Sequence, residues 1–299
     1  MALDFLSLAR FSVTLAFLLA ASREDLKTRT VDDRYWHILG AVGLCLLAGE
    51  MLNDGANAAH YLLLVPIGLL FYDPYIDREP IYEKGKFCWP AVAAFAAAGA
   101  ASGCALYFGG LTPILIIPSM FLLVYALYFT NIIHGGADAK ALMSIALVLP
   151  WYPDLPGLPL IATPAGIADV VDISFPFMML VLMMGSLSVM FLPFYNLAAN
   201  VKRGDFVWPL AFFGRRVKVA EAEKALVWPM ERLVDGKMQR ALFPKRGRYL
   251  SKEYEALKSA GIQDVWVTHK IPFIIPITAG LVLAAVVGNV VYWLGRIIS

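Results

Sequence analysis

One short polar stretch interrupts a strongly apolar chain: Asn131-Ile-Ile-His-Gly-Gly-Ala-Asp-Ala-Lys140. An ionisable group at membrane depth is costly, and it therefore marks a functional site by default. The adjacent glycines Gly135 and Gly136 allow the backbone to bend where it presents the carboxylate. Asp138 is thus the first candidate for chemistry, while the neighbouring His134 and Lys140 have no assigned role.

A carboxylate of this kind becomes a catalyst when a second one lies beside it. Two carboxyl groups a few ångströms apart cannot both ionise readily, so one keeps a proton and the other acts as a base toward water. Asp25 ends the first apolar segment and is expected at the same depth as Asp138. Glu24 and Asp73 are competing partners, and spacing alone does not choose among them. Asp138 could also be a helix cap, and Asp25 a solvated charge.

The sequence lacks the motifs that other hydrolytic mechanisms require. No His-Glu-x-x-His motif occurs, and Gly185-Ser186 has no histidine near it in the chain. We expect no metal and no cofactor. The four histidines are scattered, and the three cysteines are single and predicted to be buried thiols: His37, His60, His134, His269, Cys45, Cys88 and Cys104.

The composition indicates a membrane protein with several spans. Hydrophobic residues make up 60% of the 299 residues, only 16% are charged, and the mean hydropathy is +0.67. Soluble domains carry about a quarter charged residues. Stretches of bilayer-spanning length, near 20 residues, lie at 5–22, 37–53, 58–72, 89–108, 112–133, 139–153, 175–199 and 271–295.

The placement of charge supports this count. Of the 25 Lys and Arg residues, 22 fall in alternate joins and Lys140 lies next to another join on that side, at the start of the stretch 139–153; the exceptions are Arg10 and Arg296. The joins 54–57, 109–111 and 154–174 contain none. By the positive-inside rule the basic joins are cytoplasmic and both termini lie outside. The first segment is expected to be a retained helix because basic residues follow it.

Residues 200–270 form the one sizeable polar piece. We predict a small basic α+β domain there, with strands at 205–214 and 264–268 and helices at 220–233 and 251–260. The predicted architecture is an all-α polytopic membrane protein of about eight transmembrane helices with a small cytoplasmic α+β domain. Its parts are a catalytic core (1–199), the soluble domain (200–270) and a last helix (271–299).

Two motifs, occurring in order, resemble those of archaeal preflagellin and prepilin peptidases, which are aspartic membrane proteases of the glycine-x-glycine-aspartate class. They are Ser22-x-x-Asp25-x-Lys27-x-Arg29-x-Val31 and Gly135-Gly-Ala-Asp138. The C-terminal segments Arg203-Gly-Asp-Phe-Val-Trp-Pro-Leu-Ala-Phe-Phe-Gly and Val265-Trp-Val-Thr-His-Lys-Ile-Pro-Phe are also similar to that family.

The resemblance implies that Asp25 and Asp138 are the catalytic pair, with Gly135, Gly136 and Ala137 positioning the second aspartate. The implied substrate is a membrane-anchored preflagellin or prepilin whose short basic leader is cut at the cytoplasmic face, commonly after glycine. Ala137 departs from the family's glycine. The 112 residues between the aspartates suggest an extra helical hairpin around 58–108.

Two other functions remain open at the level of sequence. Intramembrane carboxylates could relay protons or cations in a transporter, although such carboxylates are expected near the bilayer midplane. The chain could also be a non-catalytic assembly subunit. In each case the lipid bilayer is a partner, the protein lies in the cell membrane, and no nucleic acid is expected.

Overall fold

The computed structural model describes residues 5–76, 82–83, 86–133, 135–164, 166–225, 227–234, 236–242, 250–269 and 272–298. Most of these residues are helical. The described α-helices are α1 (Phe5–Thr28), α2 (Asp33–Asn53), α3 (Leu64–Tyr72), α4 (Trp89–Gly109), α5 (Ile116–Phe129), α6 (Gly136–Val148), α7 (Ala168–Ser174), α8 (Phe177–Val189), α9 (Phe191–Lys202), α10 (Leu210–Phe213), α11 (Val219–Ala222), α12 (Leu250–Ser259), α13 (Ile274–Val287) and α14 (Val290–Ile298).

Strands are short and lie mainly in the C-terminal third. They are β1 (Tyr82–Glu83), β2 (Lys86–Phe87), β3 (Arg215–Lys218), β4 (Val227–Pro229), β5 (Glu231–Val234), β6 (Lys237–Arg240) and β7 (Asp264–His269). The chain divides into two compact units. The first comprises Met1–Ser186 and Phe273–Ser299, and the second comprises Leu187–Pro272.

The first unit is a bundle of apolar helices. Within the described ranges, four helical segments are long and apolar enough to cross a membrane. Three of them, Phe5–Thr28, Asp33–Asn53 and Trp89–Gly109, belong to this unit, and the fourth, Phe177–Lys202, continues into the second. Two shorter apolar helices lie at Pro113–Phe129 and Ile274–Val287. Many large apolar side chains face outward, Phe129 and Tyr107 among them. Such a surface suits lipid and is unfavourable in water.

The centre of this bundle is α6. It packs against α1, α2, α5 and α13, and all but one of its residues from Ala139 to Val148 are buried. A helix that is apolar on every side belongs in a core. Because α6 is enclosed by its neighbours, the position of its first turn, which carries Asp138, is set by several helices at once.

The described residues between 58 and 109 include the two arms of a helical hairpin. A 3-10 helix at Ala58–Leu63 leads into α3, and α4 packs back against both. The His60 ring Nε2 lies 3.1 Å from the carbonyl oxygen of Gly109, which joins the two arms at one end. A hairpin was predicted here; that it is an addition relative to the preflagellin enzymes that the chain resembles stays a prediction.

The predicted last span is interrupted near its end. Gly288 adopts φ +86° between α13 and α14, a left-handed conformation that favours glycine. The backbone N–H groups of Leu160 and Ile161 donate to the carbonyls of Val286 and Val287 at 2.8 and 3.0 Å. These contacts satisfy acceptors that a helix end leaves open, so α13 stops where the 155–161 loop docks.

The cysteine prediction was wrong for two of the three residues. Cys45 and Cys104 are exposed, and Cys88 is half-buried. Apolar neighbours in the sequence do not separate the interior of a membrane bundle from its outer surface, because both are apolar. An exposed thiol on an apolar helix is therefore compatible with the same sequence pattern.

The second unit contains a three-stranded antiparallel sheet in the order β3-β7-β4 and the hairpin β5-β6. The central strand β7 is covered on both faces: Val265 and Val267 pack with α12 residues, whereas Trp266 packs with Leu210 and Met230. Side chains alternate across a strand, so consecutive buried residues require cover on both sides.

Local predictions in this unit had mixed outcomes. The strand at 264–268 and the helix at 251–260 are confirmed by β7 and α12. The strand at 205–214 was wrong, since α10 forms there and β3 begins at Arg215. The helix predicted at 220–233 was also wrong. The helix α11 ends at Ala222, and Val227–Pro229 form β4, which pairs with β7. Tertiary pairing outweighs weak local propensity.

Candidate active site

Asp25 lies in the last turns of α1 and is only 8% exposed. It continues a buried stripe along this helix at spacings of one to four residues: Arg10, Thr14, Leu18, Ala21, Ser22 and Asp25. Residues at such spacings share one helix face. Asp25 therefore faces the bundle, and the interpretation as a solvated surface charge does not hold.

The N-terminus of α13 supports this carboxylate. The backbone N–H of Ile274 lies close enough to the Asp25 carboxylate to stabilise its negative charge, and the guanidinium of Arg29 contributes a positive charge nearby. The first N–H groups of a helix lack partners within the helix, and its dipole favours a negative charge there. The Asp25 carboxylate is thus close to the backbone N–H of a residue almost 250 positions away in the chain.

A hydrogen bond one turn further along fixes the same contact. Ser22 Oγ and Thr278 Oγ1 are 2.8 Å apart, and both residues are buried. The Thr278 hydroxyl also lies 2.8 Å from the carbonyl oxygen of Ile274. These bonds tie α1 to the first turns of α13 and keep the Ile274 amide against Asp25.

Asp138 occupies the first turn of α6 and is half-buried. Its carboxylate folds back over Gly135: a Cβ at that position would lie 2.8 Å from Asp138 Cγ and closer still to Oδ2. A Cβ at Gly136 would meet only the Tyr128 hydroxyl, at 4.0 Å. Gly135 therefore makes room for the carboxylate, and Ala137 follows it within the helix.

The expected use of the two glycines as a flexible bend is not what the backbone requires. Gly135 has φ −96° and ψ 127°, an extended conformation open to any residue, and Gly136 is helical. The turn is made earlier, where Asn131 has φ 58° after the end of α5. Ile132 N donates to Leu127 O at 2.9 Å, as in a left-handed helix cap. His134 lies outside the described residues.

Lys140 connects the first turns of α6 and α2. Its Nζ lies 2.6 Å from Asp33 Oδ1 and 4.4 Å from the centroid of the Tyr75 ring. Burial, with a smaller contribution from the Asp33 carboxylate, raises the pKa of the Tyr75 hydroxyl above its usual 10.0. The Tyr75 side chain therefore stays neutral, and the face of its ring lies against the Lys140 ammonium group.

These contacts bring the two aspartates to one end of the bundle. Asp33 follows the end of α1 by five residues, and Lys140 follows Asp138 by two. Since α1 also packs directly against α6, Asp25 and Asp138 lie at the ends of neighbouring helices on the same side. This is the arrangement that a shared two-carboxylate site requires.

The competing carboxylates have other surroundings. Glu24 Oε1 accepts a hydrogen bond from the backbone N–H of Asp32 at 3.3 Å, which closes the turn between α1 and α2. Asp73 begins a 3-10 helix, Asp73–Tyr75, directly after α3. Within the described part of the chain, no three His, Cys, Asp or Glu residues are grouped as metal ligands.

Residues 208–290 match a family model described as Archaeal Peptidase A24 C-terminus Type II. The chain is 28% identical over 177 residues to a preflagellin peptidase of Methanococcus maripaludis. This match covers 56% of the chain and 69% of the relative. It is 31% identical over 166 residues to a preflagellin peptidase of Methanocaldococcus jannaschii, covering 52% of this chain and 63% of the relative.

These matches indicate a protease, and an apolar helical bundle is consistent with a membrane-embedded one. The resemblance to archaeal preflagellin peptidases, predicted from the two aspartate motifs, is confirmed. The chain spans slightly less than two thirds of the second relative and slightly more of the first.

Proposed function

We propose that this protein is a membrane aspartic endopeptidase that removes the short basic leader from preflagellin or type IV pilin-like pre-proteins. The observation that carries the proposal is the position of two carboxylates on packed helices: Asp25 is buried on α1 near the N-terminus of α13, and Asp138 is folded over Gly135. The similarity to two preflagellin peptidases supplies the substrate class.

The chemistry follows from two carboxyl groups that share one proton. The ionised group takes a proton from water as the water oxygen attacks the scissile carbonyl carbon. The protonated group then gives its proton to the departing nitrogen as the C–N bond breaks. The titration belongs to the pair and not to either residue. A modest movement of α6 toward α1 when substrate binds would complete the site.

The topology that we propose has about eight spans, with the site and the soluble domain on the cytoplasmic side. A described helix overlaps each of the eight apolar stretches, and most of the basic residues fall in alternate joins. The domains are 1–199, 200–270 and 271–299. A leader in the cytoplasm would then reach both aspartates in an extended conformation.

The transporter alternative lacks support. The two relatives are named as peptidases, and Asp25 and Asp138 lie near helix ends and not in the middle of long helices. A proton relay across a bilayer would place carboxylates near its midplane.

The test is co-expression with a preflagellin, followed by the mass shift that loss of the leader produces. We expect Asp25→Asn and Asp138→Asn each to abolish trimming, since neither variant can hold both proton states. Asp73→Asn is the matched control and should trim normally. Trimming that persists in both aspartate variants would refute the assignment.

A further inference from the structure

We propose that Lys140 is a positioning residue which, through its ion pair with Asp33, sets the place of Asp138 relative to Asp25. The inference rests on the proposed function, because it concerns how that same site is held. Lys140 acts through Asp138 and the first turn of α6.

The first support is the ion pair itself. Lys140 Nζ and Asp33 Oδ1 are 2.6 Å apart, and the lysine side chain is only 16% exposed. The neighbouring pair, Arg34 with Asp32, has a separation of 3.8 Å and an arginine that is 86% exposed. Exposed pairs contribute little, whereas a short charge-assisted bond from a largely buried lysine fixes geometry.

The second support is the aromatic wall on the other side of the cation. The Tyr75 ring, 4.4 Å from Lys140 Nζ, also lies 4.4 Å from the His37 ring. The Tyr72 hydroxyl donates to the carbonyl of His37 at 3.0 Å. A cation over an aromatic face is attracted to it, so Lys140 is held by α2 and by the segment after α3 together.

The third support is that these contacts form a continuous path between the two aspartates. Glu24, next to Asp25, binds the N–H of Asp32. Asp33, the next residue, binds Lys140, which lies two residues from Asp138 on the same helix. A helical turn moves as a unit, so an unpaired Lys140 would release the first turn of α6. A misplacement near 1 Å can cost on the order of 100-fold in rate.

The experiment measures kcat and KM for cleavage of a preflagellin by purified protein in detergent. We expect Lys140→Met to lower kcat about 10- to 100-fold, with KM changed less than about 2-fold, because substrate contacts remain. Lys140→Arg keeps the charge and should restore most of the rate. Arg34→Met, which removes the exposed cation one residue from Asp33, is the matched control and should cleave as wild type does.

A charge exchange separates positioning from general damage. Lys140→Asp combined with Asp33→Lys should cleave faster than the product of the two single effects predicts. If Lys140→Met does not accumulate in the membrane, Asp33→Asn, at a half-exposed position, tests the same bond. A wild-type kcat in Lys140→Met or Asp33→Asn, an effect confined to KM, or an exchange no better than the single variants would overturn the inference.

The two proposals fail in different ways. Trimming by both Asp25→Asn and Asp138→Asn would refute the protease mechanism. Loss of activity in those variants together with full activity in Lys140→Met would leave the mechanism intact and reject the positioning role alone.

Discussion

Replacing Gly135 by alanine should impair catalysis while leaving the fold intact. A Cβ at this position would lie 2.8 Å from Asp138 Cγ, whereas ordinary contacts begin at 3.4 Å. The carboxyl carbon must therefore move by about 0.6 Å, and Oδ2 by more. The atoms that must give way belong to a short side chain and not to backbone, so the carboxylate shifts and the helix stays.

The expected magnitude follows from that displacement. Misplacing a catalytic group by about 1 Å can cost on the order of 100-fold, and a shift of 0.6 Å or more should thus slow cleavage about 10- to 100-fold. The effect on stability should be within about 1 kcal/mol. Alanine is a poorer helix cap than glycine, but it also lowers the entropy of the unfolded chain.

Gly136→Ala is the matched control, because its Cβ would meet only the Tyr128 hydroxyl at 4.0 Å. Initial rates of preflagellin cleavage and thermal melting in the same detergent would be measured for both variants. We expect Gly136→Ala to retain wild-type rates. Equal activity of the two variants, or a Gly135→Ala defect explained by a lower melting temperature, would refute the argument.

Two further substitutions test what holds the bundle together. Gly280→Ala should lower the melting temperature markedly and cost about 2 kcal/mol or more, because its Cβ would meet the backbone carbonyl of Val181; Gly99→Ala, on an open face of α4, should not. Glu50→Gln should cost on the order of 3 kcal/mol, since it leaves the buried Arg10 guanidinium, now 2.7 Å from Glu50 Oε2, without a counter-charge. Denaturation monitored by circular dichroism would check both, and an unchanged melting point would contradict either expectation.

Six of the eight predicted apolar stretches contain a long or a shorter apolar helix within the described residues, because hydrophobicity reports directly on burial in lipid or protein. The two aspartate motifs also led to the similarity that the comparisons confirm. Strand and helix predictions around 205–233 were less accurate. That region is shaped by pairing with β7, which lies more than thirty residues further on, and local composition carries no information about such a partner.

Lys140 illustrates a different limit of prediction from sequence. Its position in the sequence is at the start of a predicted span, where the positive-inside rule alone would account for a lysine. The rule says nothing about where the ammonium group points. In the structure the same lysine binds Asp33 and Tyr75, so a residue that reports topology also forms part of the contacts around the site. Both roles need a cation near the membrane surface, and they are therefore compatible.

The support of Asp25 could not have been predicted, because the donor is a backbone N–H that any residue at position 274 would supply. What the sequence had to specify was a helix beginning at that point, with Thr278 one turn later to bind Ser22. Ile274 and Thr278 both fall within 208–290, the segment that matches the peptidase family model, whereas Asp25 and Asp138 fall outside it. The matched segment therefore contributes to the candidate site through α13, and its removal would deprive α1 of the Ser22–Thr278 bond next to Asp25.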